Sequence, residues 1–342
     1  MTISLQFAPV AGRARAINVR MYRELADSLR YIGETVGDDV AFDEGALRSL
    51  CEALVSGEAP DPLVFALYYQ LVFAIADEDA GLAVDLLDRI VSLQPLAESE
   101  IRILGEDLGM ERSALYARLV EENEPLRFDV AQPPEDAVAA FRQVLPAAMQ
   151  LVEAAAPDLA SEIRGLARQI VLVGQGPEHE AIFDGGSHFQ IWNALFLNIQ
   201  RPHSRVALAE VLAHETAHSL LFGFCIDEAL TLNDEDSNYS SPLRHDPRPM
   251  DGIYHATFVS ARMHWLMERL LATDLLDDHE REEARIALER DRENFEAGHA
   301  VVAEHGVLTE TGAQLMSGAR AYMDAAPGEA VVPEPDRAKA TS

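Results

Sequence analysis

Hydrophobic residues at helical spacing dominate the first third of the chain. The segment GALRSLCEAL places three leucines on one helical face. DPLVFALYYQLVFAIA follows, with Asp61 as its predicted N-cap and Pro62 at the first helical position. AGLAVDLLDRIVSL completes the series and is expected to end near Pro95. The pattern predicts a helical N-terminal region over residues 1–125.

A stretch rich in proline and charge interrupts this pattern at residues 122–136, ENEPLRFDVAQPPED. Such a stretch is typical of a linker or a domain boundary. We therefore expect a second domain over residues 135–325. The tail, residues 326–342, has few apolar side chains to bury and is expected to be disordered.

The second domain mixes strand and helix patterns. IVLVGQG is a short apolar run rich in branched residues, which is typical of a strand. DGGSHFQIWNALFLNI predicts a turn and then a strand with one covered and one presented face, because apolar residues alternate at Phe189, Ile191, Leu195, Leu197 and Ile199. Two helices follow, with Ser204 and Asp251 as their expected N-caps. The expected fold class is mainly α (α+β), with a small sheet.

Charge narrows the choice of partners. The chain has 58 acidic and 27 basic residues, a net charge of −31, and Lys339 is its only lysine. A surface of this charge repels phosphate backbones and anionic lipid, so no nucleic-acid or membrane partner is expected. The two cysteines lie in unrelated contexts and no secretory leader is recognisable, which favours a reducing cytoplasm. The composition does not predict an oligomeric state.

The stretch VLAHETAHSLLFG carries the chemistry that stands out most clearly. On a helix, His214 and His218 project from one face one turn apart, so both imidazoles can reach one metal ion. Glu215 lies on the flank of that face, where its carboxylate can act on a metal-bound water or orient a ligand. The surrounding apolar residues predict a buried helix, in which two unpaired histidines would cost free energy.

A working metal ion needs a third protein ligand and an open position. The position six residues after His218, where a third histidine would complete one common pattern, is Phe224. Asp227 and Glu228 follow and stay open as ligands. The better candidate is His255, on the amphipathic helix predicted in MDGIYHATFVSARMHWLMERL, which a loop can fold across the first helix.

Arginines near these histidines are candidates for holding an acid. Arg262 is seven positions after His255, two turns along the same helical face. Its guanidinium could hold the far carboxylate of a small acid through a two-pronged hydrogen bond, or pair with a surface carboxylate. Upstream, SPLRHDPRPM contains Arg244 and Arg248, the latter between two prolines that fix the backbone path.

The chain resembles the HExxH-domain family associated with ribosomally made, modified peptides. Three segments together carry this resemblance: DGGSHFQIWNALFLN, AEVLAHETAHSLL and NYSSPLRHDPRPMDGIYHATFVSAR. The resemblance covers about residues 170–270. Its characterised branch consists of 2-oxoglutarate-dependent iron enzymes that hydroxylate the β-carbon of residues in a precursor peptide. It implies a zincin-like core, in which a small sheet packs on the motif helix.

The family resemblance also implies a cofactor and a ligand set. Fe(II) would be held by His214, His218 and His255, with 2-oxoglutarate and O₂ as co-substrates and a precursor peptide as partner. Arg248 and Arg262 rank first as anchors of the keto acid, and Arg244 ranks third. Glu215 would then orient a ligand or a water rather than act as a base.

Two other functions stay open. Imidazole ligands serve zinc as well as iron, so the chain could be a zinc metallopeptidase with Glu215 as general base. It could also be a catalytically silent protein that binds a peptide, with the helical N-terminal region, residues 1–125, as the candidate for recognising it. Metal content and dependence on 2-oxoglutarate distinguish the three.

Overall fold

A computed structural model describes residues 3–36, 42–122, 126–201, 204–234, 236–241 and 246–326. The tail expected to be disordered lies outside these ranges from residue 327 onwards, and so does Arg244. Within the described residues the chain is mainly helical with a small sheet, as the sequence predicted. None of the helices in these ranges combines the length and the apolar character that crossing a membrane requires.

The N-terminal helices form largely where the apolar spacing predicted them. They are α1 (Arg13–Val36), α2 (Glu44–Ser56), α3 (Leu63–Ala76), α4 (Ala80–Ser92) and α5 (Gly109–Glu121). Asp43 and Asp79 cap α2 and α4, because each carboxylate accepts a backbone N–H of the first turn. The carboxylate of Asp61 accepts the N–H of Leu63. Helix α3 itself begins at Leu63, one residue later than expected.

The N-terminal region is not purely helical, because it supplies one strand of the sheet. The strands are β1 (Glu100–Ile103), β2 (Val130–Ala131), β3 (Gln169–Gln175), β4 (Gly185–Ser187) and β5 (Ala194–Asn198). Their order is β1-β3-β5-β4, with β2 paired to β3. Strand β1 pairs parallel with β3, as β3 does with β5, whereas β4 is an antiparallel edge strand.

The prediction of a turn and then a strand over residues 184–199 is confirmed only in part, because the strand is shorter and has no exposed face. The segment forms β4, a 3₁₀ turn (Phe189–Ile191) and then β5, rather than one strand with a presented face. Every residue of β5 is buried, so both faces of the strand are covered; on one of them the ring of Tyr116 in α5 meets that of Phe196 edge-on at 5.5 Å. The buried amide of Asn198 is accommodated by donating to the carbonyl of Phe183 at 2.7 Å.

Six further helices follow β2 within the described residues. They are α6 (Glu135–Ala155), α7 (Pro157–Leu166), α8 (Arg205–Phe224), α9 (Met250–Leu271), α10 (Asp278–His305) and α11 (Glu310–Ala325), with a short ribbon of β6 (Asn238–Tyr239) and β7 (Arg248–Pro249) before α9. Ser204 caps α8 as predicted, its hydroxyl accepting the N–H of Ala207. Asp251 is not the cap of α9: the helix begins at Met250 after Pro249, and Asp251 lies in its first turn.

The hydrophobic core is continuous across the predicted domain boundary. One cluster of buried side chains extends from Phe7 to Met323. Helix α8 packs against α6, α7, α9 and the edge strand β4. The motif helix is therefore fixed on several sides, while one of its faces meets α9 and the N-terminal helices.

Candidate metal centre

Helix α8 carries the histidine pair on its least enclosed face. Thirteen of its 20 residues are buried, among them Leu212, Ala213, Thr216 and Ala217 around the motif. His214 and His218 are half-buried, and the side chain of His214 is 26% exposed. The apolar surroundings fix the backbone of the pair, and the partial exposure leaves the imidazoles accessible.

The two imidazoles of α8 turn the same nitrogen toward each other. Nε2 of His214 lies 3.1 Å from Nε2 of His218, and the ring centroids are 4.8 Å apart. Two nitrogens bound to one ion at the usual metal–nitrogen distance of roughly 2.1 Å are separated by about 3 Å. The pair therefore fits two ligands of one ion.

His255 reaches the same cluster from α9. Its ring stacks on that of His218 with centroids 5.3 Å apart, and the two Nδ1 atoms are 3.0 Å apart. The nearest approach of His255 is thus to the nitrogen of His218 that faces away from His214. As the rings stand, the described residues include no group of three His, Cys, Asp or Glu side chains arranged around an ion. The third imidazole is within reach, but a shared ion requires a turned ring.

Glu215 is buried between α8 and the edge strand. Its Oε2 accepts a hydrogen bond from the hydroxyl of Ser187 at 3.2 Å, and its Oε1 lies 3.9 Å from Nε2 of His214. Gly185 makes this placement possible, because a Cβ at that position would lie 3.1 Å from the Glu215 side chain. The carboxylate is thus held beside the histidine pair and against β4.

Burial keeps the imidazole of His255 uncharged. It lowers the pKa of His255, and the carboxylate of Asp251, whose Oδ1 is 3.9 Å from Nε2, opposes this only in part. A neutral imidazole keeps the lone pair that a metal ion needs. His264 points elsewhere: its Nδ1 lies 2.7 Å from the hydroxyl of Tyr322, and burial lowers its pKa to about 4.

The structure gives Arg262 contacts that differ from those expected of a keto-acid anchor. The residue is 1% exposed, and its guanidinium pairs with Glu162 and donates to the carbonyl of Phe7 at 2.8 Å. Glu162 also accepts from Nε of Arg13 at 2.8 Å. Arg262 therefore belongs to a buried ion-pair cluster that ties α9 to α7 and the N-terminal segment, rather than facing the histidines.

Arg248 is the expected anchor that remains within the described residues. It lies in β7, directly before α9, and its Nε is 2.7 Å from Oδ2 of Asp246. Its side chain packs on the first turn of α9, where its Cβ would lie 3.5 Å from a Cβ at Gly252. The backbone thus leads from Arg248 straight into the helix that carries His255.

The alternative carboxylate ligands are directed to other elements. Asp227 forms an ion pair with Arg20 of α1, and Oε1 of Glu228 accepts the N–H of Thr311 at 3.3 Å. The structure brings neither of them to the histidine pair, whereas it brings His255 there.

A cleft lies beside His255 that the sequence did not predict. It has a volume of about 420 Å³ and lies between α1, α3, the 3₁₀ turn and the ends of α8 and α9. Tyr68, Tyr69, Phe189 and Phe222 contribute aromatic rings to it. The adjacent tyrosines of α3 were a signal in the sequence, but nothing along the chain indicated that α3 would face the motif helix.

Comparison with known proteins adds no relative. A scan against protein-family models found no match, and a search of curated proteins found no similar sequence.

Proposed function

We propose that the protein is an Fe(II)- and 2-oxoglutarate-dependent enzyme that hydroxylates the β-carbon of a residue in a ribosomally made precursor peptide. The observation that carries this proposal is the meeting of three imidazoles from two helices, His214 and His218 with facing Nε2 atoms and His255 against the second of them. The resemblance of residues 170–270 to the HExxH-domain peptide hydroxylases supplies the expected reaction.

The proposal gives each residue a role. His214 and His218 would hold the ion through Nε2, and His255 is the nearest further imidazole. Fe(II), when bound with 2-oxoglutarate and O₂, supplies the oxidising power to attack an unactivated C–H bond. Arg248 would pair with the distal carboxylate of the keto acid. Glu215, fixed by Ser187, would orient a neighbouring ligand or a water rather than remove a proton.

The peptide has a natural place beside α8. Strand β4 is the edge of the sheet and packs against the motif helix. An extended peptide can add to such an edge through backbone hydrogen bonds. An edge strand beside a metal-binding helix supports a zincin-like arrangement as part of this proposal.

A zinc metallopeptidase is the second candidate, and the position of Glu215 favours it. The carboxylate is buried and lies 3.9 Å from Nε2 of His214, which is suitable for a base that activates a metal-bound water. The same edge strand would then present the peptide for cleavage. The two candidates differ in what else the metal must bind, because only the hydroxylase needs 2-oxoglutarate.

Calorimetry of 2-oxoglutarate binding under anaerobic conditions distinguishes them without a known peptide. We expect Fe(II)-loaded protein to bind one 2-oxoglutarate, the metal-free protein to bind none, and Arg248→Gln to weaken binding about ten-fold or more, as for loss of one charged hydrogen-bonding partner. Arg23→Gln, an exposed arginine of α1, is the control. Equal binding to metal-free protein, or hydrolysis of a peptide library by zinc-loaded protein without the keto acid, would reject the hydroxylase.

A candidate precursor peptide then gives the direct test. After anaerobic loading with Fe(II) and exposure to air with 2-oxoglutarate, its intact mass should rise by one oxygen atom. Succinate should form in step with it. A protein that binds peptide but no metal would instead be a catalytically silent member.

A further inference from the structure

The cleft beside His255 has the size of a binding site for a side chain and its neighbours. Its volume is about 420 Å³, within the range of roughly 300–1,000 Å³ that is usual for ligand sites. Helix α1 contributes Met21, Glu24 and Leu25, and α3 contributes Phe65, Tyr68 and Tyr69. His255 is part of its wall, so the cleft adjoins the candidate metal centre.

An aromatic wall leads through the cleft to the histidines. The ring of Tyr69 meets that of Phe189 edge-on at 5.4 Å, and Phe189 meets Phe222 at 6.2 Å. Phe222 in turn lies 5.3 Å from the ring of His255. Phe189 is 39% exposed, which is unusual for a phenylalanine packed among other rings. This open aromatic surface suits a large apolar or aromatic side chain, which would gain ring–ring contacts there.

The charge at the cleft is negative. Glu24 and Asp251 line it, with side chains 58% and 63% exposed. Arg20 lies 4.0 Å from Glu24, but its guanidinium also pairs with Asp227, and the described residues of the lining include no lysine or arginine. The net charge of −31 adds to this field. Exposed carboxylates beside an apolar cleft favour a ligand that carries a positive charge next to its apolar group.

We infer that this cleft recognises the substrate peptide through an aromatic or large apolar residue directly followed by arginine or lysine. The apolar side chain lies among Tyr69, Phe189 and Phe222, and the cation lies between Glu24 and Asp251. A residue a short way along the peptide then reaches His255 and the metal centre. The inference rests on the proposed function for its reaction, but the binding itself requires no metal.

Calorimetry with three synthetic peptides tests the recognition on the metal-free protein. The peptides are acetylated, amidated hexapeptides of sequence Gly-Ala-Phe-Arg-Ala-Gly and its two variants, with Ala for Phe and with Glu for Arg. We expect the Phe-Arg peptide to bind at least ten-fold more tightly than either variant. Equal affinity for the three peptides, or no binding of any of them, would overturn the inference.

Matched protein variants localise the binding. Tyr69→Ala should weaken binding of the Phe-Arg peptide at least ten-fold, whereas Phe73→Ala, an exposed aromatic on the same helix outside the cleft, should not. Glu24→Gln should weaken it about three-fold. Asp27→Asn, on the same helix and also 58% exposed, should leave it unchanged. Equal effects within either pair would show that the peptide binds elsewhere.

The outcome separates this inference from the proposed function. Peptide binding that depends on Tyr69 in a protein without hydroxylase activity would retain the cleft and reject the reaction. Hydroxylation of a precursor with unchanged KM in Tyr69→Ala would retain the reaction and reject the cleft.

Discussion

Helix α9 carries two buried polar clusters that differ in how their groups are partnered. Near its start, His255 meets the histidines of α8 beside an open cleft. Two turns later, Arg262 meets Glu162 and Arg13, whose side chains are at most 1% exposed. The second cluster pairs charges with charges, and the first brings three imidazole rings together. The charged cluster therefore holds elements of the fold together, whereas the histidine cluster is the part of α9 on which the proposed function depends.

Glu162 in the charged cluster accepts hydrogen bonds from both arginines and from the N–H of Val10. Burying these charges is tolerable only because each has its partner. The histidine cluster is built instead from ring nitrogens that face each other, 3.1 Å apart between His214 and His218 and 3.0 Å apart between His218 and His255. The arginine cluster is thus held by charge pairing, whereas the histidine cluster gathers the kind of nitrogen atom that metal ions bind.

Breaking the charged cluster should lower the free energy of unfolding more than any of the changes that follow. Glu162→Ala leaves two buried guanidinium groups without their carboxylate, so the free energy of unfolding should fall by about 3–5 kcal/mol. Urea unfolding followed by circular dichroism measures this, with the exposed Glu153→Ala as the control. A loss below about 1 kcal/mol, the range of an exposed pair, would contradict the contrast between the clusters.

Removing a histidine should have the opposite effect: a large loss of metal affinity and only a small change in the free energy of unfolding. His214→Ala should weaken Fe(II) or Zn²⁺ binding by about 100-fold or more, since loss of a ligand exceeds loss of an outer-shell partner. The free energy of unfolding without metal should change by less than about 1 kcal/mol, because the side chain is partly exposed. Competition against a chelating dye measures the affinity. His279→Ala, in the first turn of α10, is the control. Unchanged affinity in His214→Ala would remove the pair from the site.

A buried carboxyl group on α10 should make the stability of the protein depend on pH. Asp291 of α10 is fully buried, and burial and the neighbouring Glu210 raise its pKa well above the usual 3.8, against the opposing effect of Arg290. The folded state therefore keeps a proton that the unfolded state loses, and stability declines as pH rises from about 4 toward the raised pKa.

Asp291→Asn removes this titration. We expect the variant to gain stability relative to the parent protein as pH rises from 5 to 8, by about 1–3 kcal/mol, the cost of an ill-partnered buried polar group. Urea unfolding at several pH values measures the difference. A difference that is the same at every pH would mean that Asp291 is charged in the folded protein.

Loss of the hydrogen bond that fixes Glu215 should change the free energy of unfolding and the metal affinity only slightly. Ser187→Ala should lower the free energy of unfolding by about 0.5–1.5 kcal/mol, the usual contribution of one hydrogen bond. Metal affinity should fall no more than a few-fold, since the histidines are untouched. Ser49→Ala, on an exposed part of α2, controls for loss of a hydroxyl. A loss of metal affinity as large as that of His214→Ala would mean that Glu215 is itself a ligand.

The sequence predicted the parts of the site that depend on local periodicity. The spacing of His214 and His218 on a capped, apolar helix led directly to the facing nitrogens, because a helix fixes the relation of residues four apart. The proposal that a downstream helix brings His255 to them agrees with the observed contact at 3.0 Å. The orientation of its ring, however, depends on how the two helices cross, which no local pattern encodes.

Long-range packing decided what the sequence could not predict. Helical spacing places Arg262 two turns after His255, but it does not identify the partner of Arg262. That partner is Glu162, 100 residues earlier in the chain. All five residues of β5 are buried, because elements from elsewhere in the chain, such as α5 with Tyr116 against Phe196, cover its faces. The cleft likewise depends on α1 and α3 packing near the motif helix.

X-ray absorption at the metal edge tests most directly whether three imidazoles hold one ion. The measurement compares Fe(II)-loaded parent protein with Fe(II)-loaded His255→Ala, each at one ion per chain. We expect three imidazole nitrogens around the ion in the parent protein and two in the variant. The same number of imidazoles in both would place His255 outside the coordination sphere and contradict the central claim.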